Sequence, residues 1–241
     1  MTIEWILLGV FIWLAFTSEA ITGFGSIVIA VALGSLLFPI PELLPVLVPL
    51  SVFMTTFMVI KFRSDIDMSL LFRSILPFMA TGMVLGIFLL EVLSSDALKS
   101  LFAALVIWFA GRELYKMYRG IALKQKPRWW QPLWTFFAGI THGLFASGGP
   151  LLVYSLNSKQ VPKAQFRATM VSVWFGLNCF YAAVMFSQGK VQPVIPQIFA
   201  YVPILALSFW LGHSLHKHVS EQGFRKLVYW LLLIAACAMF I

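Results

Sequence analysis

The sequence predicts an all-α integral membrane protein of about eight hydrophobic segments, arranged as two repeats of four. Three observations predict it. The chain is 61% hydrophobic and only 11% charged, whereas a soluble domain is about half apolar and a quarter charged. Its apolar residues fall in runs near the 20 residues or so that a helix needs to cross a bilayer. The two halves of the chain also resemble each other.

The first apolar run covers 3–38 and is too long for one crossing. The stretch "TSEAITGFGS" (17–26) interrupts it. Its start, "MTIEWILLGVF", lacks the basic leader of a cleaved signal peptide, so it is expected to belong to the fold. Runs at 43–60, 70–90 and 97–115 complete a first membrane repeat, 1–111. The basic linker "RELYKMYRGIALKQKPRWWQ" (112–131) follows, with Trp129 and Trp130 suited to the membrane interface. The second repeat, 132–241, opens with the run 132–157, interrupted by "THGLFASGGP" (141–150). Runs at 164–186, 194–215 and 222–241 complete it. No stretch is polar enough to form a separate soluble module. The net charge of +8 therefore reads as an orientation signal in loops and not as a nucleic-acid surface. Cys179 and Cys237 lie in apolar runs and suggest neither a disulfide frame nor a metal site. No cofactor is expected.

The repeat rests on spacing. Aligning Pro77 with Pro203 without gaps sets Gly86 on Gly212, Ser94 on Ser220, Lys99 on Arg225 and Leu101 on Leu227. Upstream, Thr17 falls on Thr141 and Gly25 on Gly149. After a three-residue shift, Pro41 falls on Pro162 and Ser51 on Ser172.

Charge counting then predicts the relative orientation of the halves, because Lys and Arg in short loops favour the cytoplasm. If all eight runs cross once, ten basic residues lie inside and seven outside. If the interrupted runs 3–38 and 132–157 instead enter and return on one side, fifteen lie inside. Only Lys99 and Lys190 remain outside. The second half is then inverted relative to the first, as is common in secondary transporters. Both termini are expected to face the periplasm.

The two interruptions carry the functional expectation. A broken helix inside a bilayer leaves backbone N–H and C=O groups without partners, which is tolerated only against protein or a wet cavity. Glycines permit φ > 0 and close backbone approach, and Pro150 suits the first turn of a restarting helix. A helix restarting after each break aims free N–H groups and a positive dipole end into the membrane, which makes an anion site without a formal charge. The expected substrate-binding residues are Thr22, Gly23, Gly25 and Ser26 from the first break and Ser147, Gly148 and Gly149 from the second.

Glu19 and His142 sit beside the breaks as candidates for a coupling proton. An intramembrane carboxyl is costly and usually functional or paired, and His titrates near neutral pH. Ser51, Thr55, Ser172 and Asn178 rank below them as cavity candidates, because single hydroxyls in membrane helices usually bond back to the preceding turn.

The two breaks and the repeated halves resemble the TauE/SafE sulfite exporter family, also called the toluene sulfonate uptake permease family. The resemblance spans nearly the whole chain and rests on "EAITGFGSIVIAVALG" and "FAGITHGLFASGGPLLVYSLNSK". Members typically carry a richer glycine run in the first repeat, here reduced to Gly23, Phe24 and Gly25. The resemblance implies transport of a small sulfur oxyanion, sulfite or an organosulfonate, across the bacterial inner membrane. The alternative is an anion channel, or a transporter of another small organic anion such as a carboxylate. An enzyme is disfavoured. Ser147 and His142 are five apart and do not share a helix face, and neither a G-x-S-x-G elbow nor an H-E-x-x-H zinc motif is present. The expected partners are the small anion and the lipid bilayer, with no nucleic acid and the oligomeric state left open.

Overall fold

A computed structural model describes residues 2–22, 25–119, 127–156, 162–215 and 221–240. Among these residues the eight apolar runs fall on ten α-helices. They are α1 (Ile3–Thr22), α2 (Ser26–Gly34), α3 (Ile40–Phe62), α4 (Leu76–Val92) and α5 (Ser95–Arg119), then α6 (Trp130–Phe145), α7 (Gly149–Leu156), α8 (Lys163–Ser187), α9 (Ile195–Leu215) and α10 (Glu221–Ala238). No strand occurs among the described residues. Five stretches are long and apolar enough to cross a membrane: Ile3–Ile21, Ile40–Asp65, Leu70–Val92, Ala164–Ser187 and Gln192–Gly212. α2, α6 and α7 are too short for a full crossing, and α5 carries charges at both ends.

Local chemistry explains the helix limits. α3 and α8 both begin after a proline in extended conformation, Pro39 (φ −57°, ψ 143°) and Pro162 (φ −54°, ψ 142°). This pairs Pro162 with Pro39, two residues away from the Pro41 suggested by sequence alignment. Pro45 and Pro49 lie inside α3 and remove two helical hydrogen bonds just before Ser51. A π-helical turn, Leu70–Ile75, leads into α4. The linker expected from 112 onward begins as helix instead, because α5 continues to Arg119. Glu113 pairs with Arg112 and, at 3.0 Å, with Lys116, while the Arg112 guanidinium lies 4.0 Å from the Tyr154 ring centroid. Lys124 and Lys126 lie outside the described residues.

Each interrupted run folds back as a helical hairpin. A Cβ on Gly34, at the end of α2, would lie 3.2 Å from Leu8 Cδ1 near the start of α1. The Trp5 and Phe38 rings are 4.6 Å apart. In the second hairpin, Thr135 of α6 donates to Ser155 of α7 at 3.0 Å, and the Trp134 and Tyr154 rings are 4.8 Å apart. The breaks are therefore hairpin tips.

α4 packs on α6 through Gly82, Gly86, Gly139 and Gly143, two G-x-x-x-G pairs facing each other. A Cβ on any of the four would collide with a carbonyl of the opposite helix: Phe136, Ile140, Met79 and Met83 respectively. α1 packs on α9, where Tyr201 donates to the Trp5 carbonyl at 2.7 Å and Gly212 admits Ala20. α3 packs on α8 and α5 on α10. Exchanging α1–α5 for α6–α10 converts the α4–α6 pair into α9–α1 and leaves the α3–α8 and α5–α10 pairs unchanged. Phe57, Phe88, Phe199 and Trp210 point outward and exposed, as on a lipid-facing surface.

Candidate functional site

The first tip turns at Gly25, with φ 98° and ψ −1°, a left-handed conformation that glycine adopts without strain. Ile29 N–H bonds to the Gly25 carbonyl at 3.1 Å and closes the first turn of α2. The N–H groups of Ser26, Ile27 and Val28 have no acceptor within the helix. Gly23 and the Thr22 side chain, both expected to bind substrate, lie outside what is described.

The second tip turns at Ala146 (φ 50°, ψ 23°), whose N–H bonds to the His142 carbonyl at 2.7 Å. Leu152 N–H bonds to the Gly148 carbonyl at 3.0 Å, so α7 starts with the N–H groups of Gly149 and Leu151 free of helical partners. Pro150 between them has none to satisfy. Left-handed backbone thus occurs at Gly25 and Ala146, and neither Gly148 nor Gly149 needs it. Gly148 is required for a different reason: a Cβ there would collide with Met79 Cε and the Ala138 carbonyl.

The two tips meet around a cavity of about 20 Å³, room for about one water molecule, so a larger ligand fits only if a tip moves. Glu19, Gly25 and Ser26 line it from one hairpin and Ser147, Gly148 and Gly149 from the other. Ser51, Trp174 and Asn178 complete the wall. Ser51 is the middle residue of α3, and Trp174 and Asn178 straddle the middle of α8, so the cavity lies halfway along the two most buried of the candidate membrane spans. No Lys or Arg belongs to its wall among the described residues.

The wall polar groups are buried: Glu19 and Asn178 are 1% exposed and Ser26 is 2%. Ser26 bonds to the Glu19 carboxyl, and Asn178 Nδ2 donates to Ser51 Oγ at 3.0 Å. Glu19 Oε2 and Asn178 Oδ1 have no hydrogen-bond partner, which is costly in such a place. His142 is fully buried one layer back, with its ring stacked on Trp174 at 5.8 Å. Asn178 approaches it, but neither ring nitrogen has a hydrogen-bond partner of normal geometry.

The secondary candidates divide. Ser51 and Asn178 reach the cavity. Thr55 and Ser172 turn away and bond back within their helices, to the Ser51 carbonyl at 2.6 Å and the Ala168 carbonyl at 2.9 Å. Two further residues near the tips were not singled out by the sequence. Arg167 of α8 donates to the Ala20 carbonyl at 2.6 Å, and its guanidinium lies 4.6 Å from the Phe62 ring centroid. Tyr181 of α8 donates to the Gly143 carbonyl. Arg167 carried a signal, being a charge inside the apolar run 164–186; Tyr181 carried none. Together they supply donors to the negative C-terminal ends of α1 and α6. The positive N-terminal ends of α2 and α7 are left facing the cavity, an arrangement suited to a small anion.

The family model described as sulfite exporter TauE/SafE matches residues 7–239. The probable inner membrane transporter protein TsaS of Comamonas testosteroni is 24% identical over 168 residues, covering 69% of this chain and 70% of that protein. No solved structure matches the chain.

Proposed function

The chain belongs to the TauE/SafE sulfite exporter family, and from that premise we propose that it is a secondary transporter holding a small sulfur oxyanion, sulfite or an organosulfonate, between the two hairpin tips. It is a multi-pass protein of the bacterial inner membrane, and its activity is membrane transport and not covalent chemistry. One observation carries the substrate reading: two positive helix ends converge on one buried cavity whose wall includes hydroxyls and an amide but no cationic side chain among the described residues. Two such ends offset roughly one negative charge. An ionised Glu19 would use up that offset, so a monoanion such as a sulfonate or bisulfite is balanced when Glu19 carries a proton, and a dianion is left with one charge uncompensated. Glu19 lies in the wall with one oxygen unpartnered, where it can bring a proton in with the anion. His142, behind Trp174, is the second coupling candidate.

We propose with it that the two repeats are inverted. The hairpins meet at their tips with few contacts along their lengths, as hairpins entering from opposite faces do. The α3–α8 and α5–α10 pairs, and α4–α6 with α1–α9, survive exchange of the two halves, and the charge count favours the same arrangement. On this topology the repeats 1–111 and 132–241 flank a cytoplasmic linker, 112–131. A cysteine introduced at Lys163 should resist an impermeant thiol reagent added outside intact cells.

The substrate class is tested by thermal shift of purified protein with sulfite, sulfate, thiosulfate, taurine, sulfoacetate and simple carboxylates. A ligand at 100 times its Kd stabilises by about 2.7 kcal/mol. A shift with taurine, sulfoacetate or sulfite, followed by uptake into proteoliposomes under a pH gradient, is the expected result. A shift with carboxylates alone would move the substrate outside the sulfur anions, and uptake indifferent to the gradient would point to a channel.

A further inference from the structure

We propose that α8 carries two opposed latches, Arg167 and Tyr181, that close the cavity on opposite sides and release in alternation as the anion enters and leaves. This rests on the transport reading above. Glu19, Ser26 and Asn178 are each at most 2% exposed and the cavity holds only about 20 Å³, so an anion reaches them only when a tip moves. The tips bound the cavity directly, and besides the packing of α1 on α9 and of α6 on α4 each is hydrogen-bonded to one shared helix. What ties them to the rest of the fold therefore decides access.

α8 is the helix that ties both. Arg167 lies about 10 Å along the axis from Trp174 toward the start of α8, and Tyr181 about 5 Å beyond Asn178 toward its end, so the cavity lies between them. At the first position, the Arg167 guanidinium donates to the Ala20 carbonyl, in the last turn of α1, and stacks on Phe62, the last residue of α3. Nearby, Asp67 N–H donates to Thr169 Oγ1 at 3.0 Å, fastening the chain after α3 to α8 on the same side. At the second position, the buried Tyr181 hydroxyl donates to the Gly143 carbonyl, in the last turn of α6. Each latch thus meets a carbonyl near a helix end, where the intrahelical donor is missing.

Such carbonyls can exchange a protein donor for water at small cost. A neutral hydrogen bond of ordinary strength shifts a two-state equilibrium by roughly two- to tenfold, and one from a charged donor by roughly tenfold or more. Those factors are large enough to hold a tip closed and small enough to be overcome by binding. The chemistry of the two latches differs accordingly: the Arg167 side is held more firmly than the Tyr181 side.

The test reads the sidedness of cavity access. In a background with Cys179→Ala and Cys237→Ala, a reporter Ser51→Cys is labelled with a membrane-impermeant methanethiosulfonate in sealed right-side-out and inside-out vesicles. Arg167→Ala should raise the labelling rate about tenfold or more from one face only, with Arg167→Lys close to the parent because it keeps a charged donor. Tyr181→Phe should raise it several-fold from the opposite face only. Tyr181→Phe removes a single oxygen from a packed ring, so it carries the test by itself if Arg167→Ala does not purify as a monodisperse protein. Increased labelling from both faces in Tyr181→Phe, increases from the same face in the two variants, or no increase in monodisperse variants would overturn the proposal. If no anion in the thermal-shift screen stabilises the parent, the transport reading fails while the sidedness result still stands.

Discussion

Replacing Gly25 by alanine separates the backbone of the first tip from everything else near the cavity. Gly25 has φ 98°, and an L-residue held in left-handed backbone costs about 1–2 kcal/mol. The added Cβ meets nothing but Val28 Cγ1, at 3.8 Å, which is ordinary van der Waals contact, so the penalty is conformational and not steric. The chain escapes it only by turning the tip, which swings the N–H groups of Ser26, Ile27 and Val28 off the cavity. Affinity for the anion that stabilises the parent should fall by about 5- to 30-fold. It is measured by thermal shift across a titration, on protein that elutes as one monodisperse peak. Gly25→Asn, which tolerates left-handed backbone better, should recover most of the loss. The opposite exchange at the other tip, Ala146→Gly, removes a strained alanine (φ 50°) and should leave affinity and melting temperature at or above the parent values. If Gly25→Ala binds as tightly as the parent and melts at the same temperature, the first tip does not form the site.

Further outcomes follow from the same geometry. Ser147→Ala should cost roughly 1.5–3 kcal/mol of binding, about 10- to 150-fold in affinity, by removing one hydrogen bond to a charged ligand; Ser172→Ala should stay within about twofold, since that hydroxyl bonds to Ala168 in its own helix. Glu19→Gln should retain binding but abolish the dependence of uptake on a pH gradient, and a variant that still concentrates anion with the gradient would end the coupling role. Gly86→Leu should prevent recovery of monodisperse protein, because its side chain enters the Ile140 carbonyl. Gly176→Ala, with nothing within 4 Å, should be tolerated and slightly stabilising, by about 0.5–1 kcal/mol. Equal tolerance of both substitutions, judged by size-exclusion profile and melting temperature, would show that α4 and α6 do not depend on close glycine packing.

By itself the sequence determined the properties that arise within a few residues or from averages over a run. Hydrophobic runs of crossing length make membrane helices wherever they lie, and helices stop where glycines and prolines stop them, so "TGFGS" and "ASGGP" mark interruptions without reference to any neighbour. The carboxyl at Glu19 was conspicuous because an acid is costly in an apolar run, whatever surrounds it. Tertiary structure decided how those pieces meet. It turned each interruption into a hairpin tip, brought the tips together, and put Ser51 within 3.0 Å of Asn178 across 127 residues and Arg167 within 2.6 Å of Ala20 across 147. It assigned the left-handed turns to Gly25 and Ala146, leaving Gly148 to serve close packing. It turned Thr55 and Ser172 back onto their own helices while aiming Ser51 into the cavity. A hydroxyl on a membrane helix looks the same in sequence whichever way it faces, since its direction is set by helix rotation against a partner far along the chain. The same holds for Gly82, Gly86, Gly139 and Gly143: four glycines in two helices are ordinary until α4 and α6 approach so closely that no Cβ fits between them.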